Sequence, residues 1–187
     1  MPFLGRPNAR LLYFWLVQFG VAAVIWDFLP NALSKVLLAA LIVLANLSLY
    51  RRQTNLPVLV NVALIVLLAE FWLGSGFISP LNGAALVLIG VTLTGILAQS
   101  FREGAAGRYR FPVWLFLGFV AAQFAALIAY WPIFFAQKAL LATALFYLFW
   151  ELIELLSGHG QPSLKAHFIF VSITVLIIIG GIMTLGG

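Results

Sequence analysis

Seven long apolar runs, separated by short polar gaps, order this chain: Leu11–Leu29, Ser34–Tyr50, Leu56–Leu73, Leu81–Ser100, Pro112–Trp131, Ile133–Leu156 and His167–Leu185. At 1.5 Å per residue each comes close to the roughly 30 Å of a bilayer's hydrocarbon core. Lipid offers the backbone no hydrogen-bond partner, so a spanning segment must close its own bonds or pair in a closed barrel. Barrel strands run to about ten residues and alternate in polarity. These runs are longer and continuously apolar, so the pattern predicts an all-α, polytopic integral membrane protein with seven transmembrane helices. The widest gap, around Phe101–Phe111, has no room for a soluble domain, and residues 1–187 read as a single transmembrane helical domain.

The polar gaps carry an orientation. Arg6, Arg10, Arg51, Arg52, Arg102, Arg108, Arg110 and Lys165 all fall on one side of the seven-helix trace, leaving only Lys35 and Lys138 toward the other. Short cytoplasmic loops are enriched in Lys and Arg, which predicts a cytoplasmic N-terminus and a C-terminus outside. Aromatic residues give the same two boundaries. Trp26, Trp72, Tyr130 and Trp131 mark the outer one; Tyr13, Trp15, Tyr50, Tyr109, Trp114 and Trp150 mark the inner one.

The runs also suggest a parallel 3+1+3 internal repeat, with units 11–74 and 112–187 and a linker helix over 81–100. Gln18-Phe19, Trp26 and Lys35-Val-Leu-Leu-Ala in the first unit match Gln123-Phe124, Trp131 and Lys138-Ala-Leu-Leu-Ala in the second. Parallel repeats occur in transporters, although Leu- and Ala-rich runs align easily with one another. Small residues mark faces for close helix contact. Gly83, Gly90, Thr94 and Ala98 do so on the fourth helix, and Gly118, Ala122, Ala125 or Ala126, and Ala129 on the fifth.

Composition narrows the chemistry. Hydrophobic residues make up 64% of the chain and charged residues 8%, against roughly 25% charged in a soluble domain. The first run, with charged Asp27 near its far end and no small-x-small cleavage site, reads as a helix rather than a removable leader. The net charge of +5 tracks the helix ends, which implies anionic lipid at the cytoplasmic face and no nucleic acid. With no cysteine, thiol nucleophiles, disulfides and iron–sulfur ligation are excluded. Gly74-Ser75-Gly76 lies opposite both histidines, so it cannot form a Ser–His pair. A single Asp cannot supply a multi-aspartate metal site, and Lys165 is too shallow for a Schiff base. His159 and His167 sit in a loop with no tight ligand spacing. No catalytic residue, metal or cofactor is expected.

Five carboxylates remain: Asp27, Glu70, Glu103, Glu151 and Glu154. A charge at mid-bilayer costs about 2.5–3.5 kcal/mol on insertion scales, so the embedded ones need a reason. Glu70 lies deepest on the outer side, with Lys138 at similar depth as its natural partner; a proton or cation site and an interhelical clamp both fit. Glu151 and Glu154 share a face of the sixth run with Gln137, Thr143 and Tyr147, which predicts a polar stripe facing the inner arginines. Asp27 and Lys35 flank the first outer turn as a surface pair.

These residues point to a small-solute or lipid carrier or binding protein with a central site between the two units. That site would draw on Gln18, Gln123, Glu70, Lys138, Tyr147, Glu151 and Glu154. The competing class is a non-catalytic structural or assembly subunit of a membrane complex, held to a membrane-protein partner or to further copies of itself.

Overall fold

The computed structural model describes residues 9–29, 31–51, 55–103, 111–131 and 134–156. Among them the chain is all-helical: α1 (Ala9–Ile25, continued by a 3-10 turn over Trp26–Phe28), α2 (Ala32–Tyr50), α3 (Asn55–Gly74), α4 (Pro80–Glu103), α5 (Phe111–Ile128) and α6 (Phe135–Leu156). Six spans are long and apolar enough to cross a membrane, as a multi-pass membrane protein requires. The seventh run, and with it the last third of the second repeat unit, lies outside the described residues.

Local chemistry sets the helix starts. Asn31 caps α2: its Oδ1 accepts from the Ser34 N–H at 2.9 Å, while the Asn31 N–H donates to Ser34 Oγ at 3.4 Å. This reciprocal box satisfies end groups that have no partner inside the helix. It moves the start of α2 two residues ahead of the apolar run. Pro80 opens α4, where its missing N–H costs nothing, and Ser79 Oγ accepts from the Asn82 N–H at 3.3 Å. Between α3 and α4 the chain reverses through Gly76 at φ 76°, a backbone region that favours glycine.

Helices α3, α4, α5 and α6 form a closed ring, each packed on the next, and α1 and α2 lie against α3 from outside it. α3 is therefore the hub. Its spanning window is 61% buried, against 17% for α2, although the two have nearly equal hydropathy. In a bilayer apolarity does not distinguish core from lipid face, because lipid is as apolar as leucine. α3 carries two buried polar residues, Asn61 and Glu70, where α2 buries none.

Small residues let the ring close. A Cβ added at Gly95 of α4 would overlap the Trp114 indole of α5, and one at Gly118 of α5 would crowd Thr92 Oγ1 and the Leu88 carbonyl of α4. Gly90 of α4 accommodates Ile65 of α3 in the same way. Both small-residue faces thus pack within the chain. Trp114 and Trp150 are buried, with ring centroids 5.4 Å apart, rather than marking a membrane boundary. The gap opposite Gly95 accepts one indole and the other ring packs on it. Tyr13 is likewise turned inward, donating to the Gly90 carbonyl at 3.0 Å. Trp15, Trp26, Tyr50, Tyr130 and Trp131 are exposed.

Overpacking a tight core contact costs about 1–3 kcal/mol. Gly95→Ala should therefore lower the unfolding temperature in detergent, whereas Gly20→Ala, whose added methyl meets nothing within 4 Å, should not. Equal behaviour of the two variants would contradict the α4–α5 contact.

Candidate functional site

Glu70 lies one turn before the C-terminal end of α3 and is 4% exposed. Lys138 approaches from α6, its Nζ 3.8 Å from Glu70 Oε2. That distance gives attraction without a hydrogen bond, and Glu70 Oε2 has no hydrogen-bond partner. The ammonium is bound elsewhere: Lys138 Nζ donates to the Ala129 carbonyl at 2.5 Å. Ala129 immediately follows α5, where open carbonyls and the negative end of the helix dipole favour a cation. Lys138 thus bridges α6 to the end of α5 and holds its charge beside Glu70.

Small side chains make room around the carboxylate. Glu70, Ala69 and Leu73 of α3 line a cleft with Pro80, Gly83 and Ala84 of α4 and with Ala125, Ala126 and Ala129 on the α5 side. Its cavity volume is about 10 Å³, room for one water or a bare ion and too little for an organic solute. The arrangement therefore offers a buried carboxylate with one oxygen that accepts no hydrogen bond, a cation close but tethered, and one water-sized space.

A second polar device crosses the other side of α3. Trp15 Nε1 donates to Asn46 Oδ1 at 2.8 Å, Asn46 Nδ2 to Gln18 Oε1 at 2.7 Å, and Gln18 Nε2 to Asn61 Oδ1 at 3.0 Å. Asn46 Nδ2 also donates to the Ile42 carbonyl at 2.8 Å. The chain links α1, α2 and α3. Such bonds average about 0.6 kcal/mol in membrane proteins, since the separated helices also find partners. Their value here is positional: α1 and α2 do not run along one another, and the amides tie both to the hub. Sequence reasoning selected Gln18 but missed Asn46 and Asn61. The available signal was an uncharged amide in the interior of an otherwise apolar run.

Other expected residues are placed differently. Gln123 is exposed on α5 and takes no part in a central site, while its repeat counterpart Gln18 is fully buried. α5 runs along α6, unlike α1 and α2, so the matched segments are packed differently. The polar stripe on α6 is consumed locally. Gln137 Oε1 accepts from the Phe134 N–H at 3.1 Å, and Thr143 Oγ1 donates to the Ala139 carbonyl at 2.6 Å. Tyr147 hydrogen-bonds to Glu151 one turn further on. The side chain of Glu154 lies outside the described residues, as do Arg52, Arg108, Arg110, His159 and His167. Lys35 sits over the Trp26 ring, 5.6 Å from its centroid, and forms no ion pair with Asp27 among the described residues. The indole offers a cation–π contact where the carboxylate was expected. No group of three or more potential metal ligands occurs among the described residues.

No protein family, curated protein or solved structure matches this chain. The site geometry and the charge map are the grounds for assigning a function.

Removing one partner of a buried charge pair strands the other, at a cost of up to about 3–5 kcal/mol. Lys138→Met should therefore destabilise the protein more than Lys138→Met combined with Glu70→Gln, measured by thermal unfolding at neutral pH. If the double variant lost the sum of the single losses, Glu70 and Lys138 would not be coupled.

Proposed function

We propose that this protein is a multi-pass membrane carrier for protons or a small inorganic cation, with Glu70 as the binding carboxylate and Lys138 as its resident counter-charge. The observation that carries the reading is the buried Glu70 Oε2, which has no hydrogen-bond partner, on a residue that lines a water-sized cleft. A carboxylate kept in hydrocarbon without a full complement of hydrogen bonds is costly, and binding a proton or a cation relieves that cost. The size of the cleft favours such a solute over a lipid or an organic molecule. The proposed topology has seven spans, the seventh over His167–Leu185, an N-terminus in the cytoplasm and a C-terminus outside, as the basic residues indicate. The Glu70 cleft then opens in the outer half of the bilayer.

A structural or assembly subunit is the second reading. It is favoured by the closed packing of the ring and by the exposed apolar faces of α1 and α2, which a partner would cover as readily as lipid. Under that reading the Glu70–Lys138 pair is a clamp and no ion passes.

Reconstituted vesicles separate the two. The wild type should relax an imposed proton or alkali-cation gradient, and Glu70→Gln should fall to the rate of protein-free vesicles while keeping its unfolding temperature. Equal rates for wild type and Glu70→Gln would reject Glu70 as the carrier site. Orientation is tested on this cysteine-free chain with single introduced thiols. Phe77→Cys should react with an impermeant maleimide in intact cells and Arg51→Cys only after lysis; the reverse pattern would invert the topology.

A further inference from the structure

The amide chain on α1, α2 and α3 has a direction. An indole N–H only donates, so Trp15 obliges Asn46 to present its oxygen. Asn46 must then offer its NH2 to Gln18, and Gln18 its NH2 to Asn61. Turning any one amide around would set donor against donor. The chain therefore ends in a donor, Asn61 Nδ2, which is fully buried and has no partner.

An acceptor is present at the same level on α4. The α3–α4 hairpin is antiparallel and packs Ile65 against Gly90. One helical turn toward the inner end brings Asn61 on α3 level with Thr94 on α4. Tyr13 reaches this level from α1: its hydroxyl donates to the Gly90 carbonyl at 3.0 Å and lies 3.2 Å from Thr94 Oγ1. The single Tyr13 proton is committed to Gly90, so in the second contact Thr94 donates and keeps its own lone pairs. Thr94 is fully buried. Asn61 Nδ2, a donor without a partner, and Thr94 Oγ1, bonded to Tyr13 but able to accept a further bond, thus share one layer of the core.

We infer that one water molecule is bound between Asn61 Nδ2 and Thr94 Oγ1. It accepts from the amide and donates to the hydroxyl, closing a polar tier that runs from α2 through α1 and α3 to α4. Buried waters are held in this way, by two to four polar groups that would otherwise stay unsatisfied. The tier is uncharged and separate from Glu70, so it stands whether or not the protein carries ions.

Water-edited solid-state NMR on 15N-asparagine-labelled protein in bilayers tests this. The Asn61 side-chain NH2 should receive magnetisation from water, and Thr94→Val should abolish that transfer while Thr94→Ser preserves it. No transfer to Asn61 in the wild type would overturn the site, as would transfer that persists unchanged in Thr94→Val. If Thr94→Val does not fold, the wild-type measurement still decides.

Discussion

Two polar side chains buried on one helix, Asn61 and Glu70 of α3, constrain the rest of the molecule. Hydrocarbon supplies no hydrogen bonds, so each must be answered by neighbouring helices. Glu70 draws Lys138 from α6, and Lys138 in turn ties off the end of α5. Asn61 is met by Gln18 of α1, which holds Asn46 of α2. Of the helices in contact with α3, α1 is hydrogen-bonded to it, α6 reaches it through an ion pair, α2 is held by way of Gln18 of α1, and α4 packs closely on it through small residues. α3 is the hub of these contacts, a position its hydropathy alone does not set apart from α2.

The two devices differ in kind. The amide chain is neutral, directional and saturated except at its last donor, which suits a fixed joint between helices. The Glu70–Lys138 pair is charged and incompletely satisfied: Glu70 Oε2 accepts no hydrogen bond while the ammonium is anchored to a backbone carbonyl. Protonation or cation binding at Glu70 would leave Lys138 still held by Ala129, so occupancy of the site need not unfold the ring. That separation between a fixed joint and a changeable charge site is the physical basis for reading the second as functional.

Much of this was legible in the sequence, for identifiable reasons. The spans were, because length and continuous apolarity leave a membrane chain few alternatives; the first six fall within a few residues of the helices. Glu70 and Lys138 were, because two opposite charges at equal depth in lipid have strong cause to meet. The arrangement of the helices was not. α2 and α3 are almost equally apolar, yet one faces outward and the other is the core. Gln18 and Gln123 share a sequence context, but one is buried and the other exposed, since helix rotation is set by neighbours rather than by the run itself. Trp114 and Trp150 read as boundary residues until Gly95 is seen to make space for an indole.

As proposed, Glu70 is an accessible, ion-responsive carboxyl within the bilayer. A hydrophobic carbodiimide, which modifies protonated carboxyls in membranes, tests it most directly when the products are mapped by mass spectrometry. Modification at Glu70 should increase as pH falls and be suppressed by added alkali cation. If Glu70 stayed unmodified at every pH while exposed Asp27 reacted, the carboxyl would be a sealed structural clamp and the carrier reading would fail.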